Sequence, residues 1–198
     1  MGDTHSGNSW SGRTSEGKVV VVENLRNAGR QVMGTAANIL SQTTKTFPTL
    51  QPYLNLMQFQ EANIKTSGIL GYYVAEGENR GSVVIGNRAL RNIDKKSGYL
   101  VSSTLKGVVT HEIGHALSYR NQTGFRTAER TLTTALAKYN RQNNTKLNMQ
   151  QFTATISEYA QLSPHEAFAE AFTDFTLNGK DASTASIAII ESWKIDGR

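Results

Sequence analysis

The chain has 198 residues, 38% of them apolar, and no cysteine. That length suits one domain with a real core, a mean hydropathy of −0.42 predicts a soluble chain, and no window approaches the roughly 18 apolar residues of a membrane span. The missing cysteines exclude a disulfide scaffold and every thiolate zinc site, so only His, Asp and Glu remain as metal ligands.

The net charge of +5 is unevenly spread. Between Ser118 and Lys146 stand Arg120, Arg126, Arg130, Lys138, Arg141 and Lys146 against the single acid Glu129, whereas Glu158, Glu166, Glu170 and Asp174 follow with no Lys or Arg among them. A solvated basic face accounts for the first segment. Nucleic-acid binding asks for a tighter basic cluster interleaved with exposed aromatics, so no nucleic-acid partner is expected.

Residues 1–17 (MGDTHSGNSWSGRTSEG) contain no apolar h-region, so no signal peptide is visible. Their Gly/Ser content predicts a flexible linker or tail, and the expected division is 1–17 as tail and 18–198 as a single domain. The first six residues match the M-G-x-x-x-S spelling of myristoylation, a short pattern of low weight. His5, inside this segment, carries no expected role.

KVVVVENLRNAGRQVMGTAANILSQ follows, with Leu25, Val32, Met33, Ala36, Ile39 and Leu40 at helical spacing. Most of it is expected as an amphipathic helix, with the valine run able to open as a strand instead. Pro48 and Pro52 punctuate the next segment, and a short helix is expected around 53–61. ILGYYVA (69–75) and SVVIG (82–86), with the polar EGENRG between them, predict a hairpin. Helices are expected over about 102–120, 126–141, 148–157, 164–177 and 184–194. Strands early and helices late give an α+β domain: a small mixed sheet followed by a mainly helical C-terminal half.

Residues 111–115 read HEIGH. One helical turn separates His111 from His115, so both imidazoles share a face and can converge on one zinc ion. Glu112 lies about 100° round the helix from His111, where a carboxylate can take a proton from a zinc-bound water. Uncharged flanks (VVTHEIGHAL) suit a buried active-site helix. Gly114 costs about 1 kcal/mol relative to Ala in a helix interior, which close approach of another element or space beside a metal would explain. HExxH also arises by chance, in which case both histidines are ordinary helix residues.

Two histidines need a third ligand, and SPHEAFAEAF (163–172) offers candidates. Ser163 followed by Pro164 is a helix start. Glu166 falls where a capping-box residue would bond back to Ser163. Glu166, Glu170 and Asp174 recur every four residues on one face, beside an apolar stripe of Ala167, Phe168, Ala171, Phe172 and Phe175. Stacked acids repel by a few tenths of a kcal/mol per pair, so they call for a cation or basic partners. One carboxylate can bind a metal while another accepts the free N–H of a liganding histidine. His165 points about 100° away from Glu166 and is expected at the surface or against a substrate.

HEIGH with a downstream EAFAEAF resembles the gluzincin zinc metallopeptidases, and most closely the anthrax lethal factor type of catalytic domain. Similar signatures occur in metallopeptidase-like domains of phage head-associated proteins and bacterial toxins. The resemblance covers 108–120 and 156–175. It implies a zincin-like fold, an edge-strand hairpin packed on the HExxH helix, and Zn2+ held by His111, His115 and Glu166. It also implies Glu170 supporting the ligands from behind, and Tyr159, seven residues before Glu166, stabilising an oxyanion. The implied activity is peptide-bond hydrolysis in a peptide or protein substrate, with Glu112 taking the proton of the zinc-bound water and passing it to the leaving amine. By the same analogy SVVIG is expected as the edge strand that a substrate joins. The alternative is a catalytically silent zincin-like structural or interaction module of a phage head or toxin assembly.

Overall fold

β-Branched residues fill 19–22, and the segment Val19–Arg26 is a strand rather than the first turns of a helix. The computed structural model describes residues 4–6, 9–13, 19–26, 29–50, 54, 57–62, 70–74, 81–86, 89, 98–119 and 127–193. They fall into two compact units, Met1–Asp94 with Ser103–Glu112, and Lys95–Ser102 with Ile113–Arg198.

The first unit is built on a sheet. Strands β1 (Thr4–Ser6), β2 (Ser9–Arg13), β3 (Val19–Arg26), β4 (Gln58–Ala62), β5 (Gly71–Tyr73) and β6 (Ser82–Gly86) lie in the order β1-β2-β3-β4-β6-β5. Its mixed heart is three-stranded: β4 runs parallel to β6, and β6 antiparallel to β5. Part of the expected tail, 4–6 and 9–13, thus contributes strands, paired through β2 to the valines of β3.

The expected helix over 53–61 is replaced in its second half by β4. This strand is hydrogen-bonded to β3 on one side and β6 on the other, and its Phe59 is fully buried. Residues 53, 55 and 56 of that segment lie outside the described residues.

The predicted hairpin forms, with Gly71, Tyr72 and Tyr73 opposite Ile85, Val84 and Val83. Val74 and Gly81 close it, the latter at φ 95°, a value that glycine adopts without strain. Of the expected turn EGENRG (76–81), residues 76–80 lie outside the described residues. The expectation that SVVIG is the edge strand is overturned. β6 lies between β4 and β5 and is buried along its whole length, as an unbroken apolar run requires of a strand covered on both faces. β5 ends the order instead, and Tyr72 on it is 45% exposed.

Helix α1 (Arg30–Thr46) buries Val32, Met33, Ala36, Ile39 and Leu40, the apolar face legible in the sequence. Leu25 of that pattern belongs to β3. Glu61 of β4 accepts the N–H of Gly29 at 2.6 Å, satisfying a donor at the helix start that has no intrahelical acceptor.

Helix α2 (Leu105–Tyr119) carries HEIGH, and the unit boundary falls inside it, after Glu112. Thr104 Oγ1 accepts the N–H of Gly107 at its start. Every residue from Gly107 to Ser118 is buried, and within the helix Lys106 is exposed at its first turn.

The second unit is helical: α3 (Ala128–Asn143), α4 (Met149–Ala154), α5 (Pro164–Asn178) and α6 (Thr184–Trp193). Among the described residues the chain is therefore α+β with six α-helices, four of them after α2. Asn148 and Gln151 form a reciprocal capping box on α4. Ser163 caps α5 with Pro164 at its first turn, as expected. Phe168 and Phe172 stack at 6.4 Å, and Trp193 of α6 meets Phe168 edge-on at 5.1 Å.

Gly114 shows why α2 tolerates a glycine. A Cβ there would lie 2.8 Å from the Cα of Ala169, so α5 passes against the bare backbone of α2. Gly114→Ala gains about 1 kcal/mol of helix propensity but forces two packed backbones apart, an overpacking cost of about 1–3 kcal/mol. The expected outcome is a net destabilisation, read as a lower urea midpoint at unchanged slope. A more stable variant would contradict the close approach.

Candidate metal centre

The burial of α2 brings three ionisable side chains inside with it: His111 is 8% exposed, Glu112 4% and His115 9%. An unpaired imidazole or carboxylate is costly in such surroundings, so each needs a partner or an ion. His111 and His115 are one turn apart on a single continuous helix.

The partner for His115 comes from the first turn of α5. The Ser163 hydroxyl accepts the N–H of Glu166 at 3.2 Å, half of the predicted capping box. The Glu166 carboxylate reaches His115, with Oε2 3.1 Å from Nε2. His111, His115 and Glu166 each present one ligand atom, and the three atoms lie within 4.8 Å of one another. Two ligands on one tetrahedral zinc ion stand roughly 3.4 Å apart, given bonds of about 2.0–2.2 Å. The spacing and the donor set of two imidazoles and a carboxylate therefore fit a zinc ion.

Glu112 sits beside this group and against the sheet. A Cβ on Gly71 would lie 3.1 Å from Glu112 Oε1 and 3.0 Å from Val108 Cγ1, so a side chain there would press on both and the bare backbone of β5 lies against α2. This contact sets β5 against Val108 and Glu112 of α2.

The three acids of α5 each have a partner of their own. Glu170 is 1% exposed, and its Oε2 accepts the N–H of Val101 at 2.7 Å. Asp174 accepts from Ser183 N at 2.8 Å through Oδ2 and from Asn178 Nδ2 at 2.7 Å through Oδ1. Ser183 in turn accepts the N–H of Ser186 at 3.0 Å, capping α6. The expected need for a cation thus narrows to the Glu166 end of the stack.

Tyr159 begins a single 3-10 turn, Tyr159–Gln161, and is half-buried with its ring 5.4 Å from that of Tyr99. Glu158 N donates to Gly98 O at 3.0 Å and Tyr159 N to Tyr99 O at 2.9 Å, so 98–101 runs between Tyr159 and the carboxylate of Glu170. His165, expected at the surface or against a substrate, is half-buried with protein partners at both ring nitrogens. Nδ1 is 2.9 Å from Ser118 Oγ and Nε2 is 3.3 Å from Glu129 Oε1.

The sequence-predicted residues therefore divide. His111, His115 and Glu166 form one group, Glu112 stands next to it on α2, and Glu170 and Tyr159 hold the segment 98–101. Gly71, Tyr99, Ser118 and Glu129 were missed. Gly71 alone carried a signal, as an isolated glycine inside a strand pattern.

Alanine substitutions along α5 should separate the acids. Glu166→Ala is expected to lose most of the bound zinc and Glu170→Ala part of it. Asp174→Ala should keep the metal yet lose about 1–3 kcal/mol of stability through the unsatisfied N–H of Ser183. Elemental analysis and urea denaturation read the two quantities, and equal zinc loss in all three would contradict this division.

No protein-family model matches the chain, and no curated protein matches its sequence.

Proposed function

We propose that the chain is a zinc-dependent endopeptidase of the gluzincin type, with His111, His115 and Glu166 as the ligands. The observation that carries this reading is the convergence of those three side chains, from two helices, to within 4.8 Å. A zinc ion held there supplies a Lewis acid that polarises a peptide carbonyl and acidifies a water.

The chain's own residues account for the rest. Three protein ligands leave room for one more, the mark of a catalytic rather than a structural site. Glu112, buried next to the ligands, accepts the proton of the attacking water and returns it to the leaving amine. Tyr159 donates its phenolic hydrogen bond to the developing oxyanion. The Glu170–Val101 bond fixes the segment that packs against Tyr159, so Glu170 acts on the site by holding its wall. Support for a peptide substrate comes from β5. It ends the strand order, exposes Tyr72, and at Gly71 lies against Glu112 without an intervening side chain. An extended peptide joining β5 would run past the general base.

One observation favours a second reading. His111, Glu112 and His115 are all less than 10% exposed, which also suits a catalytically silent zincin-like module that uses its metal to hold structure.

Two measurements separate the readings. Protein purified without chelators should contain close to one equivalent of zinc, and less than about half an equivalent would refute a metal site of the affinity zinc enzymes show. Glu112→Gln should keep its zinc and lose cleavage of a mixed peptide library by about 100-fold or more. Equal cleavage by both proteins excludes Glu112 as the base, and zinc without cleavage in the wild type leaves the silent module.

A further inference from the structure

A ligand placed in the first turn of a helix has a problem of its own. The initial N–H groups of a helix lack intrahelical acceptors, and this end frays most readily. Glu166 is in that turn, and Ser163 satisfies only its N–H. A metal ligand must nevertheless be held to within about 0.5 Å of its working position.

The preceding residue meets this need. His165 Nδ1 is 2.9 Å from the hydroxyl of Ser118, which is 4% exposed and donates to the carbonyl of His115 at 2.9 Å. Ser118 is three residues beyond His115, so Ser118–His165 joins the same two helices as His115–Glu166. The two bonds together resist both sliding and rotation of α5 against α2. Glu129 of α3 is 3.3 Å from the other ring nitrogen. Its side chain is 59% exposed, and an exposed ion pair is weak, so it orients the ring and Ser118 provides the anchor.

We propose that His165, held by Ser118, is a positioning residue for the metal centre: it clamps the first turn of α5 to α2 so that Glu166 meets a metal ion together with His111 and His115. The proposal rests on the reading of those three as metal ligands. Two other roles suit the residues less well. A serine–histidine–acid hydrolytic triad would need a reachable nucleophile, and Ser118 is buried with its proton directed to its own helix. A role for His165 as a further ligand would need a ring nitrogen turned from Ser118 or Glu129.

The test measures zinc affinity of the full chain by competition with a chromophoric chelator, alongside melting of the metal-free proteins. His165→Ala should weaken zinc binding by about 10- to 100-fold, the usual effect of removing a residue that supports a ligand. Ser118→Ala should weaken it less, and the double variant no more than His165→Ala alone, because both act through one bond. His165→Asn, whose amide occupies the place of Nδ1, should recover part of the loss. Metal-free His165→Ala and wild type should melt within a few degrees of each other. Unchanged affinity in His165→Ala overturns the clamp, as does a loss as complete as that of Glu166→Ala, which would make His165 a ligand. An affinity loss matched by collapse of the metal-free protein, with no rescue by Asn, makes the role merely structural and also overturns it. If the wild type itself binds no zinc, the metal reading falls and takes the clamp with it; if the wild type binds and His165→Ala binds equally, the clamp alone falls.

Discussion

The centre depends on one contact between two backbones, where α5 crosses α2 at Gly114 and Ala169. A side chain at 114 would run into the backbone of Ala169, whose Cα would lie 2.8 Å from the added Cβ. Around it the pairs 114–169, 115–166 and 118–165 run upward on one helix and downward on the other, so α2 and α5 are antiparallel here. A wider crossing would draw the Glu166 carboxylate away from His115, which it now approaches to 3.1 Å. The flexibility cost of a glycine inside a helix is thus offset by the proximity it permits.

Electrostatics along α5 follow from the same geometry. Three acids one turn apart ought to repel, yet each meets a group of a different kind: an imidazole, the backbone N–H of 101, and the N-cap of the following helix. The face is graded. At one end the carboxylate faces two histidines, in the middle it holds a loop, and at the far end it organises a helix start. The residue types are identical or nearly so, and only their distance along the helix from Ser163 separates a candidate ligand from a brace.

Much of this is legible in the sequence because it depends on local periodicity. HEIGH and SPHEAFAEAF need only the 3.6-residue turn and a Ser-Pro start to place their side chains, and the helical second unit follows from the same repeat. Strand order is set by pairing between distant segments. QFQEA is too short to show a period, and its identity as β4 depends on partners at 23–26 and 82–86. SVVIG carries the mark of a central strand in its unbroken apolar run, and analogy with edge-binding enzymes points the other way. Ser118 and Glu129 precede His165 by 47 and 36 residues, and no spacing rule connects them.

Strand β5 is three residues long where it closes the sheet. Long flat edges recruit copies of themselves, and natural sheets limit that hazard by keeping their outermost strands short. Three residues can pair with a short extended peptide but offer no long matching edge for a second copy of the chain. The brevity of β5 therefore guards against filament formation while leaving the bare backbone at Gly71 where it is.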